Sequence, residues 1–338
     1  MILTNKYTFA CLIQFYELEM LDEHIHSCVE MLSNIENSDN ITFHFCISFQ
    51  EKFEKIDWQY FNEKYSNEYG PIPIHDEYKI HWLKNIFLSK IGLNSFKSAN
   101  LIFDYKYDNE SLYTIADYRR WVNDKYCDEC DVVCWSETDS LWPFETIYLL
   151  ESLHNSVSDT TPKYIVNFSD RVLWDNNVSP KHPKFENVTI NDELVDLASG
   201  KSYMSYEQMR IINDATTVYD VSKYDYPLFD GSCVCFSSEL IKSGINIPKS
   251  ILLTGEDTAI GLMAKQILRD NFIQYCFKNI LHVHNRRHPR KRTGILNENN
   301  PHGFCDIRKG QWWGNIDSIS KKNLNTLFTQ NKIIKYDK

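Results

Sequence analysis

Within the first fifty positions the apolar residues change spacing twice, and few folds accommodate that change. Residues 7–15 (Tyr-Thr-Phe-Ala-Cys-Leu-Ile-Gln-Phe) form the apolar run of a buried strand. Leu21, Ile25, Val29, Leu32 and Ile35 then recur at helical spacing. Next, Ile41, Phe43, Phe45 and Ile47 alternate with Thr42, His44, Cys46 and Ser48 at a period of two. Two strands joined by a helix are most simply parallel neighbours, because the helix supplies the crossover a parallel pair needs. The alternation continues. Ile80, Leu83, Phe87 and Ile91 line one helical face that Gly92 can end, Leu101-Ile-Phe is apolar, a helix follows over 112–125, and Asp131-Val-Val-Cys-Trp135 reads as a short buried strand. This order predicts an α/β fold with an open, mostly parallel sheet flanked by helices.

From about 155 to 227 polar residues and prolines weaken the pattern, leaving a strand candidate at 164–168 and a helix candidate near 206–213. That stretch is expected to be an insertion packed on the domain. Regularity returns with Phe229–Phe236, a helix over Ser238–Lys242 ending at Gly244, a longer helix over Glu256–Leu268 and a strand over Phe272–Phe277. A chain of 338 residues admits one large domain or two. Only 11 Gly and 10 Pro argue against long flexible linkers. A single domain over 1–315 is therefore expected, with 316–338 as a C-terminal extension. The net charge of -10 disfavours nucleic acid as a partner. The N-terminus lacks the pattern of a secretion signal and no apolar run is long enough to span a bilayer, which predicts a soluble, cytoplasmic protein. The ten cysteines are then expected to be mostly reduced core residues; Cys127-x-x-Cys130 has zinc-like spacing, but no second pair completes a four-ligand set.

Three groups of residues can carry chemistry. Glu137-Thr138-Asp139 follows the Asp131–Trp135 strand, and residues two apart in an extended segment point the same way. Two carboxylates at a strand end suit a hard divalent cation in the crevice where open α/β sheets bind ligands, although solvated loop acids give the same pattern. Thr254-Gly-Glu-Asp-Thr258 opens a helix, where acids cap exposed amides and favour the dipole, and where a carboxylate can also be held rigidly as a general base. In Leu281–Arg292, His282 and His284 share one side of an extended segment, while Arg286, Arg287, Arg290, Lys291 and Arg292 crowd the loop beyond. Such a cation cluster is a solvated run, a nucleic-acid contact or the seat of a compact anion such as a diphosphate; the acidic remainder of the chain favours the last.

Taken in order along the chain, these groups resemble a nucleotide-sugar glycosyltransferase of the GT-A fold, in the broad family-2-like group. The resemblance runs over roughly 7–292. Glu137-Thr138-Asp139 is similar to that fold's DXD metal motif with Glu in first place. Phe229-Asp-Gly-Ser through Thr-Gly-Glu-Asp-Thr resembles its acceptor-side segment and xED motif, His284 or His282 its later metal-binding histidine, and Tyr113–Asn123, with Asp117, Arg119 and Arg120, its nucleotide-facing helix.

The resemblance implies a Rossmann-like GT-A sheet. It also implies Mn²⁺ or Mg²⁺ on Glu137, Asp139 and a histidine, and a nucleotide-diphosphate sugar, of UDP type, as donor. Asp257 is then the base with Glu256 orienting it, the arginines of 286–292 close over the phosphates, and a glycan, a lipid-linked sugar or a protein is the acceptor. Two loops depart from the family. Gln14-Phe15-Tyr16-Glu17 lacks the usual Pro and Asn, leaving Gln14 and Tyr16, with Phe15, as candidates for the base; and Ser48-Phe-Gln-Glu lacks the Asp-Asp-Gly-Ser run. Two alternatives stand beside this reading. One is a GT-A-like binding protein without activity, and the other a nucleotidyltransferase, which would normally need a Gly-rich phosphate loop that residues 1–60 do not contain.

Overall fold

A computed structural model describes residues 1–49, 56–106, 113–170, 182–191, 193–195, 197, 203–214, 216, 218–223, 229–285 and 311–329, except for the side chains of 311–313. Its strands are β1 (Tyr7–Gln14), β2 (Ile41–Ser48), β3 (Asn100–Lys106), β4 (Val132–Glu137), β5 (Ser140–Leu141), β6 (Tyr164–Asp170), β7 (Thr189–Ile190), β8 (Glu193–Leu194), β9 (Val221–Lys223), β10 (Cys233–Ser237) and β11 (Ile273–His284). The helices are α1 (Leu18–Glu30), α2 (Trp58–Tyr69), α3 (Asp76–Gly92), α4 (Ile115–Tyr126), α5 (Thr146–Val157), α6 (Tyr206–Asp214), α7 (Ser238–Lys242), α8 (Glu256–Leu268) and α9 (Gln311–Asn325).

The sheet runs β3-β2-β1-β4-β10-β6-β11-β5, with β9 pairing on β11. Pairs β1–β2, β2–β3, β1–β4 and β6–β11 are parallel, whereas β10 is antiparallel to both β4 and β6. Among the long strands only β10 is therefore reversed. This is the mostly parallel, helix-flanked sheet the spacing predicts, and it agrees with a Rossmann-like GT-A arrangement.

The period-two alternation sorts side chains onto two faces. Tyr7, Phe9, Cys11 and Ile13 of β1, with Phe43 and Phe45 of β2, enter one core with Leu21 and Ile25 of α1 and Leu83 and Phe87 of α3. Ala10 and Leu12 face a second core with Trp135 of β4, Tyr118 and Val122 of α4 and Ile260 of α8. The nine described cysteines are all buried and free.

The stretch 155–227 is not wholly an insertion. It supplies β6, a central strand between β10 and β11. What lies outside the sheet is the β7–β8 hairpin and α6, whose Tyr206, Met209 and Ile212 pack with Leu281 and Val283 of β11. Helices α2, α5 and α9 were not anticipated. On α5, Glu151 is 5% exposed and accepts hydrogen bonds from Thr4 N (2.7 Å), Asn5 Nδ2 (3.1 Å) and Tyr7 Oη (2.6 Å), anchoring the entry to β1. Burial alone would raise this carboxyl, but the donors outweigh it and hold it at about 2. Its contribution is thus complete above the ordinary carboxylate range and is lost as pH falls toward about 2. Glu151→Gln is expected to cost ~1.5–3 kcal/mol at neutral pH, the value of hydrogen bonds to a charged group, in urea unfolding; the deficit should shrink below pH ~4.

Candidate functional site

Parallel strands release their carboxyl ends on one side of a sheet, and a reversed strand begins there. The ends of β4 (Glu137), β6 (Asp170) and β11 (His284) and the turn that leads into β10 (Asp230, Gly231) therefore meet along one edge. Short strand β5 folds back from β4 and pairs with β11, placing His284 opposite Ser140. The Glu137–Ser140 turn is closed by Ser140 Oγ, which accepts from Glu137 N at 3.1 Å and lies 2.6 Å from Glu137 O and 2.9 Å from Ser232 O. His24 donates its Nδ1 proton to Ser140 O at 2.7 Å, and Asn285 N donates to Asp139 O at 2.7 Å.

Glu137, Asp139 and His284 offer ligand atoms within 4.8 Å of one another. His284 Nε2 lies 3.5 Å from Asp139 Oδ2 and 3.6 Å from Glu137 Oε2. Its other nitrogen, Nδ1, is 3.1 Å from Asp230 Oδ2, so a carboxylate fixes the ring and leaves Nε2 aimed at the acid pair. Burial works against a charge on His284, but Asp230 and Asp139 hold its pKa well above the usual range. Asp230 is drawn well below the usual carboxylate range, against its burial, by His284. The donor set of carboxylates and an oriented imidazole fits a divalent cation: the ion would take the place of the proton that two acids now hold on the ring.

His282 lies elsewhere. Its Nε2 is 3.0 Å from Ser232 Oγ and its Nδ1 3.7 Å from Asp170, and burial depresses it to about 3. Of the two histidines, the structure brings His284 to the acid pair. Asp170 and Asp230 form a second group with His284 that sequence reasoning missed. Their only signal was position, at a strand end and before a strand.

Glu256 and Asp257 open α8 beside this edge. Gly255 turns the chain at φ 79°, where a Cβ would also stand 2.9 Å from Leu324 Cδ2 of α9. Asp257 accepts from Gly231 N at 3.1 Å and Thr258 N at 2.6 Å. Burial and the neighbouring acids raise both carboxyls, Asp257 to about 6 with Asp230 repelling it, and Glu256 with Asp257 repelling it against the pull of Arg119.

The α4 residues divide. Arg119 reaches Glu256, Glu137 and Gly231 O. Asp117 caps α4 with Thr114 and pairs with Arg120, which binds the carbonyls of Ile247, Pro248 and Ile251, so neither joins the acid cluster. Tyr16 and Phe15 are 2% and 0% exposed, edge to face at 5.2 Å, which makes both core residues with no ring face open to a base. Thr138 is likewise fully buried, 3.9 Å from Cys11 Sγ, and acts within the turn. Gln14 ends β1, half-buried. Arg286, Arg287, Arg290 and Arg292 lie outside the described residues. Cys127 and Cys130 join no metal-binding group among the described residues.

The fold and this edge define an α/β protein with an oriented metal-type triad beside a second acid pair. No family model and no curated protein matches the chain. Among solved structures it is similar to the crystal structure of S. aureus TarS 1–349, at 11% identity and TM-score 0.39, over 96% of this chain and 73% of that one. So remote a likeness carries no argument about chemistry. No described helix is long and apolar enough to cross a membrane.

Proposed function

We propose that this chain is a metal-dependent glycosyltransferase that moves a sugar from a nucleotide-diphosphate donor to an acceptor hydroxyl with inversion. The observation that carries the reading is the meeting, along one sheet edge, of Glu137, Asp139 and His284, whose ligand atoms lie within 4.8 Å of one another, with a second, half-buried carboxylate, Asp257, in the first turn of α8. Glu137, Asp139 and His284 would hold Mn²⁺ or Mg²⁺, which when bound would neutralise the diphosphate of the leaving nucleotide.

Asp257 would accept the proton of the acceptor hydroxyl as its oxygen attacks the anomeric carbon, while the bond to the nucleoside diphosphate breaks on the opposite side. Backbone donors from Gly231 and Thr258 aim the Asp257 carboxylate, and Glu256, fixed by Arg119, holds the turn that carries it. The arginines at 286, 287, 290 and 292 would complete the phosphate site and exclude water. The acceptor on this reading is a glycan, a lipid-linked sugar or a protein.

Incubation with a panel of nucleotide sugars, with and without Mn²⁺, tests the proposal. Slow metal-dependent release of free nucleoside diphosphate is expected from at least one donor. Release from none, together with no binding of donor or metal in calorimetry, sinks it.

A further inference from the structure

Arg119 is 1% exposed, yet its guanidinium is shared by three separate parts of the site. Nη1 donates to Glu256 Oε1 at 2.5 Å; Nη2 donates to Glu137 Oε1 at 3.1 Å and to Gly231 O at 2.6 Å. Trp135 flanks it, 5.0 Å from ring centroid to Cζ. Gly231 passes so close that a Cβ there would stand 2.5 Å from Nη1. The turn before β10 must therefore carry glycine for the fork to sit where it does.

A buried cation needs partners, but nothing in that need requires that they come from two different pieces of chemical machinery. Here one carboxylate belongs to the metal triad and the other adjoins the base. A planar fork holds both in fixed relation, which a point-charge ammonium cannot do. Glu137 is thereby divided: Oε1 is held by Arg119, and Oε2 is left 3.6 Å from His284 Nε2.

Resting on the glycosyltransferase reading above, we propose that Arg119 is a positioning residue that couples the metal carboxylates to the base-bearing turn, so that occupancy of one alters the other. When Glu256 takes its share of the guanidinium, Glu137 is bound less tightly by Arg119 and is freer to serve a cation. Such coupling is reciprocal by thermodynamic necessity.

The test is Mn²⁺ titration of the full chain by calorimetry, for the unaltered protein, Glu256→Gln, Arg119→Lys, Arg119→Met, and each Arg119 variant combined with Glu256→Gln. Glu256 is not in the metal triad, yet its replacement is expected to weaken Mn²⁺ binding at least ~5-fold, the lower end of usual coupling between sites. In either Arg119 background the same replacement should change affinity by less than about twofold on that scale. Arg119→Lys keeps the charge and guards against misfolding of the Met variant, and its failure to restore the coupling marks the fork, not the charge, as the agent. An unchanged affinity in Glu256→Gln, or a loss that persists undiminished in both Arg119 backgrounds, overturns the coupling while leaving the metal site intact. Absence of Mn²⁺ binding in the unaltered protein overturns the metal site and the coupling with it, while the glycosyltransferase reading falls separately, when the nucleotide-sugar panel also shows neither turnover nor donor binding.

Discussion

Asp257→Asn is expected to lower turnover by ~10²–10⁴-fold, the usual contribution of a general base, while donor and Mn²⁺ affinity stay near those of the unaltered chain. The substitution is nearly isosteric, and an amide oxygen can still accept from Gly231 N or Thr258 N, so the α8 turn is kept. What is lost is the basic oxygen. The pH profile supplies a second readout. Burial and the nearby Asp230 raise Asp257 to about 6, so the base is ionised at neutral pH and becomes protonated as pH falls through that value. Turnover should accordingly fall about tenfold per pH unit below ~6, as expected when a single base must be ionised. The residual activity of Asp257→Asn should lack that limb. Near-full activity in Asp257→Asn, or an unchanged acid limb in its residual activity, removes Asp257 from the role. Glu256 behaves differently: burial and Asp257 raise its carboxyl while Arg119 opposes them, and it faces that guanidinium inside the protein, a place for fixing the turn and not for meeting an acceptor.

Much of the sheet could be read from the sequence because its strands sort residues by a period of two. Phe43 and Phe45 face one core while the intervening positions do not, and α1 repeats its apolar residues at the matching helical interval. Helices α2 and α9 were not legible for the opposite reason. Trp58–Tyr69 buries only Phe61 and Tyr65, and the inward face of α9 mixes apolar Ile316 with polar residues, Ser320 Oγ bonding Thr254 O and Asn323 bonding Ser250 O. Buried polar residues such as these break up the apolar stripe by which a helix is read from sequence.

In the site, Glu137, Asp139, Glu256 and Asp257 stood out as acids paired at the ends of elements, and His284 by its place late in the chain. Asp170 and Asp230 did not, because each is a lone acid whose meaning comes from strand order: only a reversed β10 between β4 and β6 sets them beside His284. Arg119 was legible as a residue of interest but not in its direction. A helix over 115–126 can present it outward or inward, and the space that admits it is created by a glycine 112 residues further on.

The second large effect concerns the cation. Asp139 is fully buried, Glu137 is partly exposed, and His284 is 3% exposed, so any ion held among them is reached from the Glu137 side. Asp139→Ala removes one of three ligand groups and leaves His284 facing a smaller charge; Mn²⁺ binding by calorimetry should fall beyond detection, and metal-dependent donor binding with it. Asp230→Asn is the graded counterpart. It keeps all three ligand groups but replaces the carboxylate that fixes the His284 ring at 3.1 Å, and loss of such an outer partner costs ~10–100-fold in metal affinity. The order of the two losses is the informative result. If Asp230→Asn weakened Mn²⁺ binding as severely as Asp139→Ala, Asp230 would itself be a ligand, and the ion would sit in the Asp170–Asp230–His284 group instead. If neither substitution moved Mn²⁺ affinity, the acid cluster would be a structural network whose His284 proton balances Asp230 and Asp139 without any ion.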